Sequence, residues 1–299
     1  MGGVENTRVG VARRGLFKFR PVTSRPTAPF RLSTADPPRE EIPAGSDTYA
    51  AEARIYDSLS ADLTTKDLPF YLDVAEASGG PVLELACGTG RILLSIAAAV
   101  GAGTGVDASP SMIERARKRA QALGLAGSVR LEVGDIRTAD LHERYPLVVI
   151  PYSSLFQLAT EDDLLAALRC AKRHLAPGGQ VVADVFVPNL ATMKARHDRT
   201  TFVAEVEDPD TALRALVWDH TMYVLSRRLV IRRRMYETLD DHGLVLARRY
   251  SRLDIYFRHP PEMLAAFEEA GLAVIETYGN FDRRPFDDAS TRLVLTATA

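Results

Sequence analysis

From residue 81 onward the chain alternates short apolar runs with longer amphipathic stretches. Val82 to Ala86, Thr104 to Asp107, Ser128 to Val133, Leu147 to Pro151 and Gln180 to Val187 have the length and apolar content of buried strands. Between them, Arg91 to Val100, Pro110 to Leu123 and Glu161 to Leu175 repeat their apolar positions with a helical period. Such alternation predicts a parallel sheet covered on both faces, an α/β doubly wound core. Two more helices, over Thr48 to Leu63 and Asp67 to Ala77, precede it, and Gly79-Gly80-Pro81 breaks the chain before the first strand.

After Pro188 the texture changes. Trp218 to Val224, Leu229 to Leu239 and Val245 to Phe257 are long segments rich in β-branched, aromatic and arginine residues, with Asp240-Asp241-His242-Gly243 as a hairpin turn. They predict a small antiparallel sheet inserted over residues 190–258 as a lid or platform. Helix Pro261 to Ala270, strand Leu272 to Tyr278 and strand Arg292 to Thr298 then return the chain to the first sheet. Residues 47–299 therefore read as one domain. Residues 1–46 differ: prolines recur, and Glu5 is the one acid against seven basic residues before position 35, which predicts a flexible tail.

A chain of 299 residues is long enough to bury a large core. Its formal net charge of -2 gives no general attraction to nucleic acid or membranes. The longest run of small and apolar residues, Ile92 to Val100, is too short to span a bilayer, and Val11-Ala12 is followed by Arg13-Arg14 rather than by a signal core. Two cysteines, Cys87 and Cys170, make no disulfide framework or metal cluster. The expectation is a cytoplasmic protein that needs no metal.

The chemistry concentrates at the first strand. Gly88 and Gly90 let the backbone turn sharply and approach a ligand, and the helix that follows aims free N–H groups into the same crevice. Asp107 closes the second strand, where a carboxylate can accept both hydroxyls of a ribose. A dinucleotide fingerprint would place a third glycine where Leu93 stands. Glu84, just before the turn, would repel a diphosphate and favour a cationic or amino-bearing ligand. These features favour S-adenosylmethionine over NAD.

Glu84-Leu-Ala-Cys-Gly-Thr-Gly90 resembles the acidic, glycine-rich first motif of the class I S-adenosylmethionine-dependent methyltransferases, with Ala86 where a glycine is usual. Val106-Asp-Ala-Ser-Pro-Ser-Met112 and Gly134-Asp-Ile136 resemble the second and third motifs, and the likeness continues through Leu147 to Leu158, Leu175 to Gly179 and Ser290 to Thr298. The resemblance implies a Rossmann-like sheet of seven strands, mainly parallel, with the last strand reversed. It implies the methionine part of the cofactor against the turn of Ala86, Cys87, Gly88 and Gly90. Asp107 would hold the ribose, Met112 would lie near the adenine, Asp135 would serve its amino group and Ile136 its ring, with Glu84, Arg91, Ala108 and Gly134 as further cofactor contacts. Tyr56 and Tyr152 complete the expected cofactor contacts. The family's usual acidic residue before the fourth strand is missing, since Tyr145-Pro146 stands there.

The acceptor is less legible. Ile150-Pro151-Tyr152 lacks the Asn/Asp-Pro-Pro-aromatic motif of amino-directed nucleic-acid methyltransferases, which argues against a DNA or RNA base. The resemblance is closest to small-molecule methyltransferases, including the N-methylating branch that acts on sugars and other metabolites. Tyr152, Phe156, Phe186, Asn189, Tyr223, Tyr236 and Arg252 are candidates for the acceptor pocket, with Ser153 or Gln157 positioning either ligand. Each has a structural alternative: Phe156 as core packing, Asn189 as a turn residue. His220, His259 and Tyr152 are candidate bases. The basic run Arg228, Arg232, Arg233 and Arg234 reads first as a solvated sheet face or an oligomer contact, with an acidic acceptor or partner as the alternative, and the inserted sheet is a candidate homodimer surface. The function expected is methyl transfer by direct displacement to a small molecule, an amine first. A protein or peptide methyltransferase, a non-catalytic binding module and an NAD-dependent oxidoreductase are the alternatives.

Overall fold

The computed structural model describes residues 47–299, and the segment 1–46, expected as a flexible tail, lies outside the described residues. The first predicted helix is mostly turns: a single helical turn, α1 (Tyr56–Leu59), precedes α2 (Ala61–Ser78). Ser60 separates them, its hydroxyl donating back to the Tyr56 carbonyl at 2.7 Å. α2 starts earlier than expected, so Pro69 lies inside it rather than in its first turn.

Strands β1 (Val82–Leu85), β2 (Gly103–Asp107), β3 (Val129–Val133), β4 (Tyr145–Ile150) and β5 (Leu175–Phe186) pair in parallel. Helices α3 (Leu93–Val100), α4 (Pro110–Ala122) and α5 (Glu161–Arg173) connect them. α4 is capped by Ser109, which accepts the Met112 N–H at 3.1 Å, and Pro110 stands in its first turn. α5 opens with Glu161, Asp162 and Asp163 and closes with Lys172 and Arg173, charges that suit its dipole at both ends.

The insertion comprises α6 (Leu190–Arg196) and an antiparallel sheet of β6 (Arg199–Glu207), β7 (Arg214–Val224), β8 (Leu229–Leu239) and β9 (Val245–Tyr256) in that order. β6 escaped the sequence pattern because its side chains are nearly all exposed and mix threonine and glutamate with the apolar residues. After α7 (Pro260–Glu269), β10 (Ala273–Tyr278) and β11 (Arg292–Thr298) complete a seven-stranded sheet in the order β10-β11-β5-β4-β1-β2-β3. β11 runs antiparallel to both neighbours, the one reversed strand that the resemblance implies.

Alternation along the strands divides the core. Leu83, Leu85, Val148, Ile150 and Val181 face α5 and α7, while Val82, Leu147, Val149 and Val182 pack with α2 and α3 on the other side. The chain leaves β1 toward β2 and β3, then returns to β4 on the opposite side, so the strand order reverses between β1 and β4. In open α/β sheets a crevice forms at the carboxyl ends of the strands at such a switch point.

Candidate active site

The turn after β1 lies at that crevice. Ala86, Gly88 and Gly90 all have positive φ, at 62°, 54° and 73°. Glycine at position 86 would be favoured by its backbone, not only by its size, and alanine there costs about 1 kcal/mol. The turn is tied to β2 twice: the Cys87 N–H donates to the Val106 carbonyl at 3.1 Å, and the Gly88 N–H to Asp107 Oδ2 at 2.7 Å. Leu93, where a dinucleotide fold would have its third glycine, is fully buried against β2. The small residues have moved across the interface: a Cβ on Gly103 or Gly105 would lie 2.7 Å from the Leu93 side chain.

These elements bound a cavity of about 340 Å³. Of the expected cofactor contacts, Tyr56, Ala86, Gly88, Asp107, Ala108, Met112, Asp135, Ile136 and Tyr152 line it. Cys87, Gly90, Arg91 and Gly134 do not. Cys87 packs inward beside Leu93 and Ile113, and the Arg91 guanidinium grips Asp67 through two hydrogen bonds of 2.7 and 2.6 Å. Arg91 thus belongs to the scaffold, also lying 5.9 Å from the centre of the Tyr152 ring.

Asp107 accepts a second bond from the Ser109 N–H at 2.9 Å, and burial raises its carboxyl above the usual range against these two bonds. Asp47 reaches the same helix start, accepting from the Ser109 hydroxyl at 2.7 Å and the Ser111 N–H at 2.9 Å. Burial alone would raise its carboxyl, but the bonds from Ser111 and Ser109 outweigh that and hold it low. Asp135 is held low first by hydrogen bonds from Arg137, which also grips Asp163. Thr89 donates to Asp57 at 2.6 Å, and Arg119 bonds both Asp57 and the Thr89 carbonyl. That cluster fastens α1, and with it Tyr56, to the glycine turn.

Glu84 does not line the cavity. It lies behind the turn, only 2% exposed, and its Oε2 has no hydrogen-bond partner. Burial pushes its carboxyl up to about 8, opposed by the Arg91 charge and a bond from the Leu93 N–H. The folded protein therefore keeps a proton that the unfolded chain, with a carboxyl near 4.5, releases. Between those values stability falls as pH rises, by about 1 kcal/mol per pH unit, and the loss is complete above the folded value. Glu84→Gln should remove this slope. The difference in unfolding midpoint between variant and parent should widen from about pH 5 to about pH 8, and an equal difference at both ends would reject the assignment.

A second cavity, of about 190 Å³, adjoins the first. Tyr49, Tyr56, Tyr152 and Gln157 belong to the walls of both, and Glu52, Phe186, Arg232, Arg234, Leu253 and Arg292 help to complete the second. The Tyr49 and Tyr56 rings meet edge to face at 6.2 Å, and burial first raises both hydroxyls well above their ordinary range, keeping them protonated. Tyr152 and Ser153 are both left-handed, with φ of 61° and 58°. Asp184 of β5, fully buried, holds this strained pair: it accepts the Tyr152 N–H at 2.8 Å through Oδ1 and the Ser153 N–H at 3.0 Å through its carbonyl. Its carboxylate also accepts the Tyr71 hydroxyl at 2.6 Å and pairs with Arg292.

Several acceptor candidates fall elsewhere. Phe156 is buried core, edge-on to Phe186 at 5.0 Å, so the packing alternative holds for it. Asn189 caps α6 by accepting the Thr192 N–H at 2.9 Å. Tyr223 packs on the main core, and Tyr236 stands behind Glu52, donating to it at 2.7 Å. Arg252 pairs with Asp254, His220 with Asp198, and the His259 N–H opens α7 by bonding Glu262. None of these seven lines either cavity, and neither histidine is placed as a base.

The sheet register explains much of this. Arg232 stands opposite Leu253, a cavity residue, whereas His220 and Arg252 stand opposite Arg233, one residue out of phase and on the other face. The basic run is thereby split. Arg232 and Arg234 line the second cavity, while Arg228 pairs with Glu262, which corrects the reading of the whole run as a solvated face. Asp47, Tyr49 and Glu52 carry no signal in the sequence, because their segment reads as the start of a helix. Asp184 did carry a signal: an acid inside the apolar run Gln180 to Val187.

The donor set suits an adenosine-bearing cation. Asp107 and Asp135 offer carboxylates beside the apolar Met112 and Ile136, and tyrosine rings offer π faces to positive charge, whereas Glu84, expected to favour a cation, lies behind the turn and outside the cavity. Comparison with known proteins agrees. Residues 82–179 match the family model of the methyltransferase domain. The dTDP-3-amino-3,4,6-trideoxy-alpha-D-glucopyranose N,N-dimethyltransferase of Streptomyces venezuelae is 36% identical over 136 residues, 46% of this chain and 50% of that protein. The dTDP-4-amino-2,3,4,6-tetradeoxy-D-glucose N,N-dimethyltransferase of Saccharopolyspora spinosa is 27% identical over 172 residues, 51% of this chain and 67% of that protein. The chain thus spans half the length of the first of these relatives and about two thirds of the second. The solved structure of the CcbJ methyltransferase from Streptomyces caelestis superposes with a TM-score of 0.64 at 26% identity, covering 77% of this chain and 94% of that one. The glycine turn at the switch point of a seven-stranded sheet and the family match over residues 82–179 together show that the chain carries a methyltransferase domain.

Proposed function

We propose that the protein transfers a methyl group from S-adenosylmethionine to an amine of a small molecule seated in the second cavity. The observation that carries this reading is the shared wall: Tyr49, Tyr56, Tyr152 and Gln157 form a neck between the cavity of Asp107 and a second, separately lined cavity. The names of the two curated relatives, both N,N-dimethyltransferases of amino sugars, support an amine as the acceptor.

The cofactor, when bound, supplies a methyl group on a positively charged sulfur, which is already a good leaving group. What remains for the chain is alignment and exclusion of water. Asp107 would hold the ribose, Met112 and Ile136 the adenine ring, and the turn from Ala86 to Gly88 the methionine part. Protonated Tyr49 and Tyr56, with Tyr152, present aromatic faces to cationic groups on either side of the neck. Among the described residues no histidine lines either cavity, so the amine arrives neutral and sheds its proton afterwards. The rate should then rise with pH toward the pKa of the acceptor amine.

The test is a titration with S-adenosylhomocysteine and NAD, followed by methylation assays over a panel of small amines read by mass spectrometry. We expect S-adenosylhomocysteine to bind, NAD not to bind, and product to carry one or two added methyl groups on nitrogen. Binding of NAD without S-adenosylhomocysteine would overturn the reading, and labelling of peptides but of no small amine would overturn the acceptor assignment.

A further inference from the structure

We infer that the second cavity holds an anionic group of the acceptor, a carboxylate or a phosphate, on the Arg232 guanidinium. This deepens the methyl-transfer reading and rests on it. The pairing of β8 with β9 fixes Arg232 opposite Leu253, on the wall that both residues share with Ile255. Its Nε is buried and has no hydrogen-bond partner, and among the described residues no carboxylate lies within ion-pair distance of it.

The other charges of the same wall are already matched. Arg234 donates to Glu52 at 2.6 Å and to both oxygens of Asp219 at 2.6 and 2.8 Å, while Glu52 also accepts from Tyr236. Arg292 pairs with Asp184, whose carboxylate is further engaged by Tyr71 and the Tyr152 N–H. No acid of this wall can turn to Arg232 without leaving another buried group unmatched. A partly desolvated guanidinium without a partner is costly, and its planar fork fits carboxylate and phosphate oxygens two at a time.

Place decides what kind of molecule this is. Arg232 and Tyr49 line the same cavity, and Tyr49 belongs to the neck, so the anion and the reacting amine sit in one compact ligand. About 190 Å³ accommodates a single ring or a short chain. The acceptor class is a small amine that also carries an acid group.

The test uses the full chain loaded with S-adenosylhomocysteine and titrated calorimetrically with glucosamine, glucosamine 6-phosphate and glucosaminic acid. One or both anionic amines should bind about ten-fold or more tightly than glucosamine, and which one does so separates phosphate from carboxylate. Arg232→Gln should erase that preference while leaving S-adenosylhomocysteine affinity unchanged, and Arg233→Gln, which removes the same charge from the opposite face, should keep it. Arg232→Lys, which retains the charge without the fork, should show an intermediate preference and serves if the glutamine variant does not fold. Absence of any anion preference in the parent, or its survival in Arg232→Gln, overturns the inference. Failure of S-adenosylhomocysteine to bind overturns instead the methyl-transfer reading.

Discussion

Asp184→Ala lowers the midpoint of thermal unfolding by about 10 °C. The carboxylate is fully buried and joins four parts of the fold: Tyr71 of α2, the backbone after β4, Arg292 of β11 and its own strand β5. Truncation strands the Tyr71 hydroxyl and the Tyr152 N–H and removes the carboxylate from Arg292, which keeps the Phe281 ring 5.2 Å from its guanidinium carbon. Breaking a buried ion pair from one side costs about 3–5 kcal/mol, and in a domain of this size each kcal/mol is worth about 2–4 °C. Asp184→Asn keeps an acceptor for Tyr71 and Tyr152 and should lose about half as much. S-adenosylhomocysteine affinity should fall as well in Asp184→Ala, because the left-handed Tyr152-Ser153 pair loses its anchor. Differential scanning calorimetry decides the matter, and a shift under about 2 °C would show that Arg292 and Tyr71 find other partners.

Asp107→Ala should weaken S-adenosylhomocysteine binding by about ten- to a hundred-fold, with a smaller loss of stability. Two effects add. The variant removes the acceptor proposed for the ribose hydroxyls, and it frees the Gly88 and Ser109 N–H groups that the carboxylate now clamps. Asp107→Asn separates them, since an amide oxygen can keep one clamp without the charge. Calorimetric titration of both variants tests this, and an affinity within two-fold of the parent in Asp107→Ala would remove Asp107 from the cofactor site. The Glu84 slope is independent of this result because Glu84 lies behind the turn.

The strand and helix order of the core was legible because a strand buried on both faces must be continuously apolar and a covering helix must be apolar along one stripe. The glycine turn was legible for a similar reason: a sharp turn at positive φ leaves few residue choices. Ala86 marks the limit of that reasoning. Its motif position is clear, but that it sits at φ 62° is known only from the folded backbone.

The acceptor side was much less legible. β6 is too exposed to show a pattern, and the segment 47–55 carries Asp47, Tyr49 and Glu52 in turns where the sequence suggests regular helix. As histidines, His220 and His259 are candidate bases by residue type, yet one pairs with Asp198 and the other opens a helix.

The sequence by itself determined the doubly wound core, the turn from Ala86 to Gly90 and the acids that point to an adenosine-bearing cofactor. Each of these follows from local chemistry, the period of an apolar run or the few residues a turn allows. Only the tertiary structure decided which arginines of β8 face inward, that Tyr49, Tyr56 and Tyr152 join two cavities, and that Asp184 holds the strained strand end. A one-residue change of strand register exchanges the faces of a sheet without altering a single residue, and partners distant in the chain meet only when the whole sheet is assembled.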